Sequence, residues 1–206
     1  MLLDLVKLKE KYDLKIKGTL HIGAHFGQEY STYEELGIKD VMFFEPLPHT
    51  FETLKHNVGD KQGVSLVNAA LGNTVGKIEM NVESINQGQS SSILEPIIHL
   101  QQYPHIKFTD KITVNITKLD TFIEDREKYN FINIDVQGYE LEVFKGGSEY
   151  LNHIDYIMTE VNRDEVYAGC PRIEELDDYL GTYGFKRVET TWDGGTWGDA
   201  FYIKEK

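Results

Sequence analysis

The sequence contains a single cysteine, Cys170, so no disulfide can form within the chain and nothing in its covalent chemistry calls for an oxidising compartment. No histidine adjoins Cys170 in sequence to lower its pKa, and Pro171 follows it, so it reads as a partly buried loop thiol and not as a nucleophile. Long hydrophobic runs are missing too. Asp4, Lys7, Lys9, Glu10 and Lys11 interrupt the stretch from Met1 to Tyr12, which excludes a signal peptide or a membrane-spanning helix there. The chain reads as cytoplasmic, or as one module of a larger polypeptide. Positive charge is scarce: 21 Lys and Arg stand against 34 Asp and Glu, a formal net charge of −13, and no basic run offsets it. Such a field repels phosphate backbones and anionic membrane surfaces, so neither nucleic acid nor membrane is an expected partner. A neutral polyol, a sugar or a cationic ligand suits it better.

What is present is enough apolar surface for one core: 40% of the 206 residues are apolar, which predicts a single domain over residues 1–206. Leu2, Leu5, Val6, Leu8 and Tyr12 recur near helical spacing and predict a short opening helix. Thr19 to Ile22 is then a buried-type strand that ends in the turn Gly23-Ala24-His25-Phe26-Gly27, and Gln28 to Leu36 returns to a helical pattern stopped by Gly37. Val41 to Phe44 is a second strand ending at Glu45-Pro46, Pro48 to Val58 a helix, and Val64 to Leu71 a third strand. This βαβαβ order is the signature of a parallel sheet.

Between Gly72 and Thr117 the helical rhythm stops. Lys77 to Val82 and Lys111 to Ile116 alternate like the strands of an inserted hairpin, and the stretch from Ile85 to Phe108 between them, with Pro96 and Pro104, is long for a loop and is expected to shape a binding pocket. Beyond it the pattern predicts helices over 119–128, 139–151 apart from Gly146-Gly147, and 172–183, strands over 131–134 and 154–158, and a closing hairpin, Lys186 to Thr191 with Asp199 to Ile203, around Asp193-Gly194-Gly195. The fold class is α/β: a doubly wound, mostly parallel seven-stranded sheet with an antiparallel C-terminal edge hairpin and an inserted hairpin after the third strand.

In such a sheet, ligands bind beyond the carboxyl ends of the strands. The polar residues there are the turn from His21 to Gly27, Glu45, Asn68, Asp135 and Glu160. Glu45 follows Gly23 by 45 − 23 = 22 residues, the place of an acid that receives a ribose diol. The turn has no middle glycine; Ala24, His25 and Phe26 stand where a pyrophosphate would need room, so an adenosine ligand without phosphate, S-adenosylmethionine, fits better than a dinucleotide.

The run from His21 to Gln28, together with Phe44-Glu45-Pro46, Asn68-Ala69-Ala70-Leu71-Gly72, Ser90-Ser91-Ser92, Leu119-Asp120 and the run from Ile134 to Glu140, resembles the FkbM family of methyltransferases over roughly residues 18–162. The resemblance implies a class I methyltransferase fold, S-adenosylmethionine as donor, and O-methylation of sugars or related hydroxylated metabolites. By position it implies that Gly23, Ala24, His25, Gly27 and Gln28 hold the methionine part and Glu45 the ribose. It likewise places Asn68 and Ala69 at the adenine edge and Asp135 at the methyl-transfer end, with Pro46 and Ser91 beside the cofactor. The chain departs from the family at His21, His25, Asn133 and Gln137, where Asp, Asn, Lys and Glu are usual.

The expected function is therefore an O-methyltransferase acting on a hydroxyl of a sugar or glycan. A sugar hydroxyl is weakly acidic and profits from a base within about 3 Å, for which Asp135 and Glu160 lead and His25 is a third candidate. Pairing with Arg163 is the structural alternative for Glu160. Asp135, Glu160 and Asp164 are also oxygen ligands that a divalent ion accepts, although no metal is the favoured reading, and the four-residue spacing of His21 and His25 falls on a non-helical turn unsuited to zinc. Trp192 and Trp197 are candidate rim residues, with Phe201 in the core. Two other functions compete. A nicotinamide-dependent sugar oxidoreductase or epimerase would use Tyr103 and Lys107, although Pro104 disfavours a helix through them; a non-catalytic nucleotide-binding domain would have no need of the two acids.

Overall fold

The computed structural model describes residues 1–205, with the backbone alone over 123–125. Asp4 caps the first helix, α1 (Leu5–Tyr12), by accepting hydrogen bonds from the amides of Val6 and Lys7, and Asp13 in the left-handed region ends it. β1 (Gly18–Ile22) follows, then α2 (Tyr30–Glu35), β2 (Asp40–Phe44) and α3 (Pro48–Val58), whose proline occupies the first helical turn, where no N–H is needed. β3 (Val64–Val67) completes the first half.

The run from Val64 to Leu71 is not one strand. Pairing with β2 stops at Val67 because the Asn68 side chain takes over, its amide donating to the Glu45 carbonyl at 2.8 Å and the Pro46 carbonyl at 3.2 Å. β4 (Ala70–Leu71) then turns away to join β5 (Gly76–Glu83) and β6 (Phe108–Thr117) in a separate small sheet of order β4-β6-β5. β5 and β6 form the inserted antiparallel hairpin. Between them lies one short helix, α4 (Ile98–Gln102).

Residues 119–128 are 3₁₀ turns, not an α-helix, and Phe122 leaves helical geometry there while setting its ring edge-on to Phe44 at 5.2 Å. β7 (Phe131–Ile134), α5 (Glu140–Gly146), β8 (Tyr156–Asn162), α6 (Ile173–Gly181), β9 (Phe185–Trp192) and β10 (Trp197–Lys204) complete the chain. The helical run expected over 139–151 breaks at Gly147, before a single 3₁₀ turn over 150–153.

The main sheet has the order β3-β2-β1-β7-β8-β10-β9, parallel except for β10, which runs antiparallel to both neighbours. Strict alternation divides its apolar side chains between two cores. Leu20, Ile22, Ile132, Ile134 and Ile157 pack against α5 and α6; Val41, Phe43, Phe131, Met158 and Phe201 pack against the first three helices. Among the described residues no helix is long and apolar enough to cross a membrane.

Asp120 ties the 3₁₀ region to the end of α5: its carboxylate accepts from the amides of Tyr150 at 2.9 Å and Glu149 at 3.2 Å. Asp120→Ala removes the acceptor of the part-buried Tyr150 amide and of the exposed Glu149 amide and should lower the unfolding free energy by about 1 kcal/mol in urea titrations, with no change in the far-ultraviolet spectrum.

Candidate active site

The register of the sheet decides which side chains meet at its carboxyl edge. The last registered pairs are Ile22 with Phe44, Ile22 with Ile134, and Ile134 with Thr159. One residue further on, alternation sends Glu45, Asp135 and Glu160 to the face that carries Phe43, Asn133 and Met158, and Asp199 lies directly across from Glu160. Four carboxylates thus share one row over β2, β7, β8 and β10. The gap in the row, on β1, is Gly23.

Gly23 has φ +81°, and a Cβ there would lie 1.9 Å from the Asp135 carbonyl oxygen, so the row closes only around a residue with no side chain. The amides of Gly23 and Ala24 both donate to the Phe44 carbonyl. The next amide, that of His25, donates to Glu45 Oε2 at 2.9 Å, and Leu47 donates to Oε1 at 2.9 Å. Each Glu45 oxygen therefore holds one backbone donor and keeps capacity for another. Burial pushes the Glu45 carboxyl up to about 7 against the pull of those two amides.

The deepest feature is a clamp on Gln137. Its side-chain amide donates to Asp135 Oδ1 at 2.7 Å and to Glu160 Oε2 at 2.9 Å, while its carbonyl oxygen accepts from the Tyr167 hydroxyl at 2.8 Å. Gln137 sits at φ +54°, a left-handed conformation that costs a non-glycine residue roughly 1–2 kcal/mol, offset here by three side-chain hydrogen bonds. Its turn is held from below by Glu140, whose Oε1 accepts from the amides of Val136 and Gly138. Glu160 is 5% exposed, and burial, reinforced by Asp135, Glu140 and Asp199, raises its carboxyl well above the ordinary range. Arg163 offers no relief, because its guanidinium stacks 3.8 Å from the Trp192 ring.

These groups line a cavity of about 560 Å³. Of the residues singled out in the sequence, Gly23, Ala24, His25, Gln28, Glu45, Pro46, Ala69, Ser91, Asp135, Glu160 and Trp197 lie on its wall. Gly27 does not; it turns the chain at φ +76° against Leu54. Asn68 lies outside as well, exposed and holding the Glu45 and Pro46 carbonyls. Asp164 is exposed and off the cavity, and among the described residues no group of three or more His, Cys, Asp or Glu is placed to hold a metal ion. His25 accepts from the Gln28 amide at Nδ1 and donates from Nε2 to the Gln87 carbonyl, so neither ring nitrogen is free to act as a base. Cys170 is buried and its thiol pushed up by that burial.

The insertion supplies more of the wall: Ser90 and Tyr103, which the sequence motifs named, and Gln89, His99 and Ile106, which they did not reach, as they did not reach Tyr167 in the loop after β8. Only the length of the 85–108 stretch hinted at Gln89, His99 and Ile106. Tyr103 ends α4, its hydroxyl accepting from Trp197 Nε1 and donating to Asp193, so no helix carries it toward Lys107 as a nicotinamide-type pair would require.

A family model for the methyltransferase FkbM domain matches residues 21–187. The chain belongs to the FkbM methyltransferase family. S-adenosylmethionine is accordingly its methyl donor, which displaces the nicotinamide alternative. A 2-O-methyltransferase, NoeI, of Sinorhizobium fredii is 30% identical over 189 residues, covering 87% of this chain and 76% of that protein. The hexuronic acid methyltransferase AglP of Haloferax volcanii is 25% identical over 126 residues; the match takes in 60% of this chain and 47% of the relative. Solved structures with the same fold include the N-methyltransferase NodS from Bradyrhizobium japonicum (TM-score 0.52, 11% identity, 98% of this chain and 93% of the other). Another is magnesium protoporphyrin IX methyltransferase from Synechocystis with bound donor (TM-score 0.54, 9% identity, 98% and 76%).

The FkbM site fits its donor. The Gly23 position is closed to any side chain, Glu45 retains acceptor capacity for a diol, and the cavity offers carboxylates to a ligand that carries an ammonium and a sulfonium.

The Glu140 carboxyl is pushed up to about 7 by burial, with Asp135 adding to it. A raised carboxyl stabilises the folded state fully below its unfolded value, near 4.5, and that stability is lost as pH rises toward 7. Glu140→Gln keeps both amide bonds through Oε1 and loses the titration. Chemical denaturation across that window should show the wild type losing on the order of 3 kcal/mol more than the variant.

Proposed function

We propose that this protein transfers a methyl group from S-adenosylmethionine to a hydroxyl of a neutral sugar or glycan. The observation that carries this reading is the Asp135–Gln137–Glu160 clamp: two carboxylates share one amide in an aromatic cavity and, among the described residues, no Lys or Arg pairs with them. The donor supplies an electrophilic methyl carbon. What the chain supplies is position, proton transfer and exclusion of water.

Glu160 takes the hydroxyl proton as the carbon–oxygen bond forms. Its raised proton affinity makes it a stronger base than an ordinary carboxylate, and only one of its oxygens is bound by Gln137. Asp135, more exposed and fixed by the same amide, orients the acceptor oxygen. Tyr167 donates to Gln137 and so fixes which end of the amide faces the acids. Trp197 and Tyr103, joined by a 2.9 Å hydrogen bond at the rim, offer aromatic faces to a sugar ring.

No Lys or Arg lines the cavity among the described residues, whereas Glu29, Glu45, Asp135 and Glu160 do, so a uronate or phosphate on the acceptor would enter a predominantly acidic pocket. This favours a neutral acceptor over one like that named for the Haloferax relative, and the 2-O-methyltransferase name of the Sinorhizobium relative supports oxygen as the acceptor atom.

The test is incubation with S-adenosylmethionine and panels of neutral and uronic-acid glycans, read by mass spectrometry for a single added methyl and by fragmentation for its position. Transfer to a hydroxyl of neutral sugars is expected. Transfer only to nitrogen or only to uronic acids would overturn the reading. Glu160→Gln should lower kcat by about 10²–10⁴-fold while the dissociation constant of S-adenosylhomocysteine changes little.

A further inference from the structure

The donor's amino-acid tail carries an ammonium, and four carboxylates line the cavity that must receive it: Glu29, Glu45, Asp135 and Glu160. Three are already engaged. Both Glu45 oxygens accept backbone amides, and Asp135 and Glu160 share the Gln137 amide. Glu29 stands apart. It lies just beyond the turn that follows β1, its side chain is 35% exposed, and among the described residues no hydrogen bond engages its carboxylate. His21 Nε2 lies 4.0 Å from Glu29 Oε2, beyond hydrogen-bond reach.

His21 cannot meet the ammonium itself. Asn133 donates to the Tyr33 hydroxyl at 2.7 Å, and that hydroxyl donates to His21 Nδ1 at 2.9 Å. The remaining ring proton is thereby placed on Nε2, toward Glu29. Burial lowers the His21 pKa, so the ring is neutral and presents only a donor edge to its surroundings. The carboxylate that answers a cation at this end of β1 must come from elsewhere, and Glu29 is the one left open.

An ammonium already keeps its proton in this corner. Burial works against the Met1 α-amine, which lines the same cavity, yet the fields of Asp135, Asp199, Glu29 and Glu160 raise it above its ordinary value. No Lys or Arg lines the cavity among the described residues.

We propose that Glu29 is the carboxylate that binds the ammonium of the donor's amino-acid tail. The assignment rests on the methyl donor and is independent of which acceptor the protein uses.

The experiment is calorimetric titration of the whole chain and its Glu29→Gln variant with three ligands. S-adenosylhomocysteine carries the complete tail, its deaminated analogue lacks only the ammonium, and 5′-methylthioadenosine lacks the tail. Loss of a charge-assisted contact should weaken S-adenosylhomocysteine about tenfold in the variant. The other two ligands should bind both proteins alike, which also shows that the variant folds and keeps its nucleoside site. Unchanged S-adenosylhomocysteine binding would overturn the assignment. So would an equal loss with all three ligands, because that would make Glu29 a residue that shapes the whole pocket. Failure of the wild type to bind S-adenosylhomocysteine overturns it through the donor, whereas failure to methylate any sugar leaves it standing.

Discussion

The site depends on one constraint: β1 is held in register between β2 and β7, and its end is a glycine at which a Cβ would collide with the backbone carbonyl after β7. That contact sets the spacing between the acid ending β2 and the acids ending β7 and β8. Any side chain at position 23 would push the Asp135 carbonyl away and part the row of carboxylates. The strand interior makes the register hard to slip. A shift of one residue would expose Leu20 and Ile22 to the helices on the wrong face and bury polar His21 in the other core.

Placing four acids in a row has an electrostatic cost that the chain meets largely with dipoles, and with no Lys or Arg side chain among the described residues of the cavity. Backbone amides bind Glu45 and Glu140, the Gln137 amide is divided between Asp135 and Glu160, and the amide of Leu3 donates to Asp199. Dipoles stabilise a buried carboxylate less completely than a paired Arg would, and the proton affinities of Glu45, Glu140 and Glu160 rise accordingly. The result is a pocket rich in groups able to exchange a proton near neutrality. An arginine in the same place would hold the acids permanently ionised and fill the space a ligand needs.

The first half of the fold was legible because buried parallel strands read as unbroken apolar runs and their helices as separate periodic stretches. The α3 helix begins at Pro48 and ends at Val58 as its pattern predicts. Misreadings arose where tertiary hydrogen bonds overrode local pattern. Val64 to Leu71 looks continuous, yet Asn68 spends its amide on the carbonyls beyond β2 and divides the run between two sheets. The FkbM motifs contain the turn, Glu45 and Asp135, and the strand-end pattern added Glu160. They could not show that Asn68 and Gly27 support the pocket from outside, or that His25 spends both ring nitrogens on Gln28 and Gln87. Gln137 carries no local signal of its role, since a bridge between two acids and a tyrosine 30 residues away exists only once β7 and β8 are side by side.

The insertion is less separable from the sheet than its position in the chain implies. Glu83 gathers the amides of Ile85, Asn86 and Gly88 and so bends the segment over the cavity. Ser92 donates to the Gln137 carbonyl at 2.8 Å, and the amides of Ile97 and His99 both bond the Val166 carbonyl. The roof therefore rests on the same two loops, after β7 and after β8, that hold the acids. A rigid-body shift of the roof cannot occur without moving Gln137 or Tyr167, and with them the geometry of the carboxylate pair. For a methyl transfer, which requires the acceptor atom, the methyl carbon and the sulfur to lie in line, this coupling matters more than any single contact. The wall that selects the acceptor is braced on the residues that orient it.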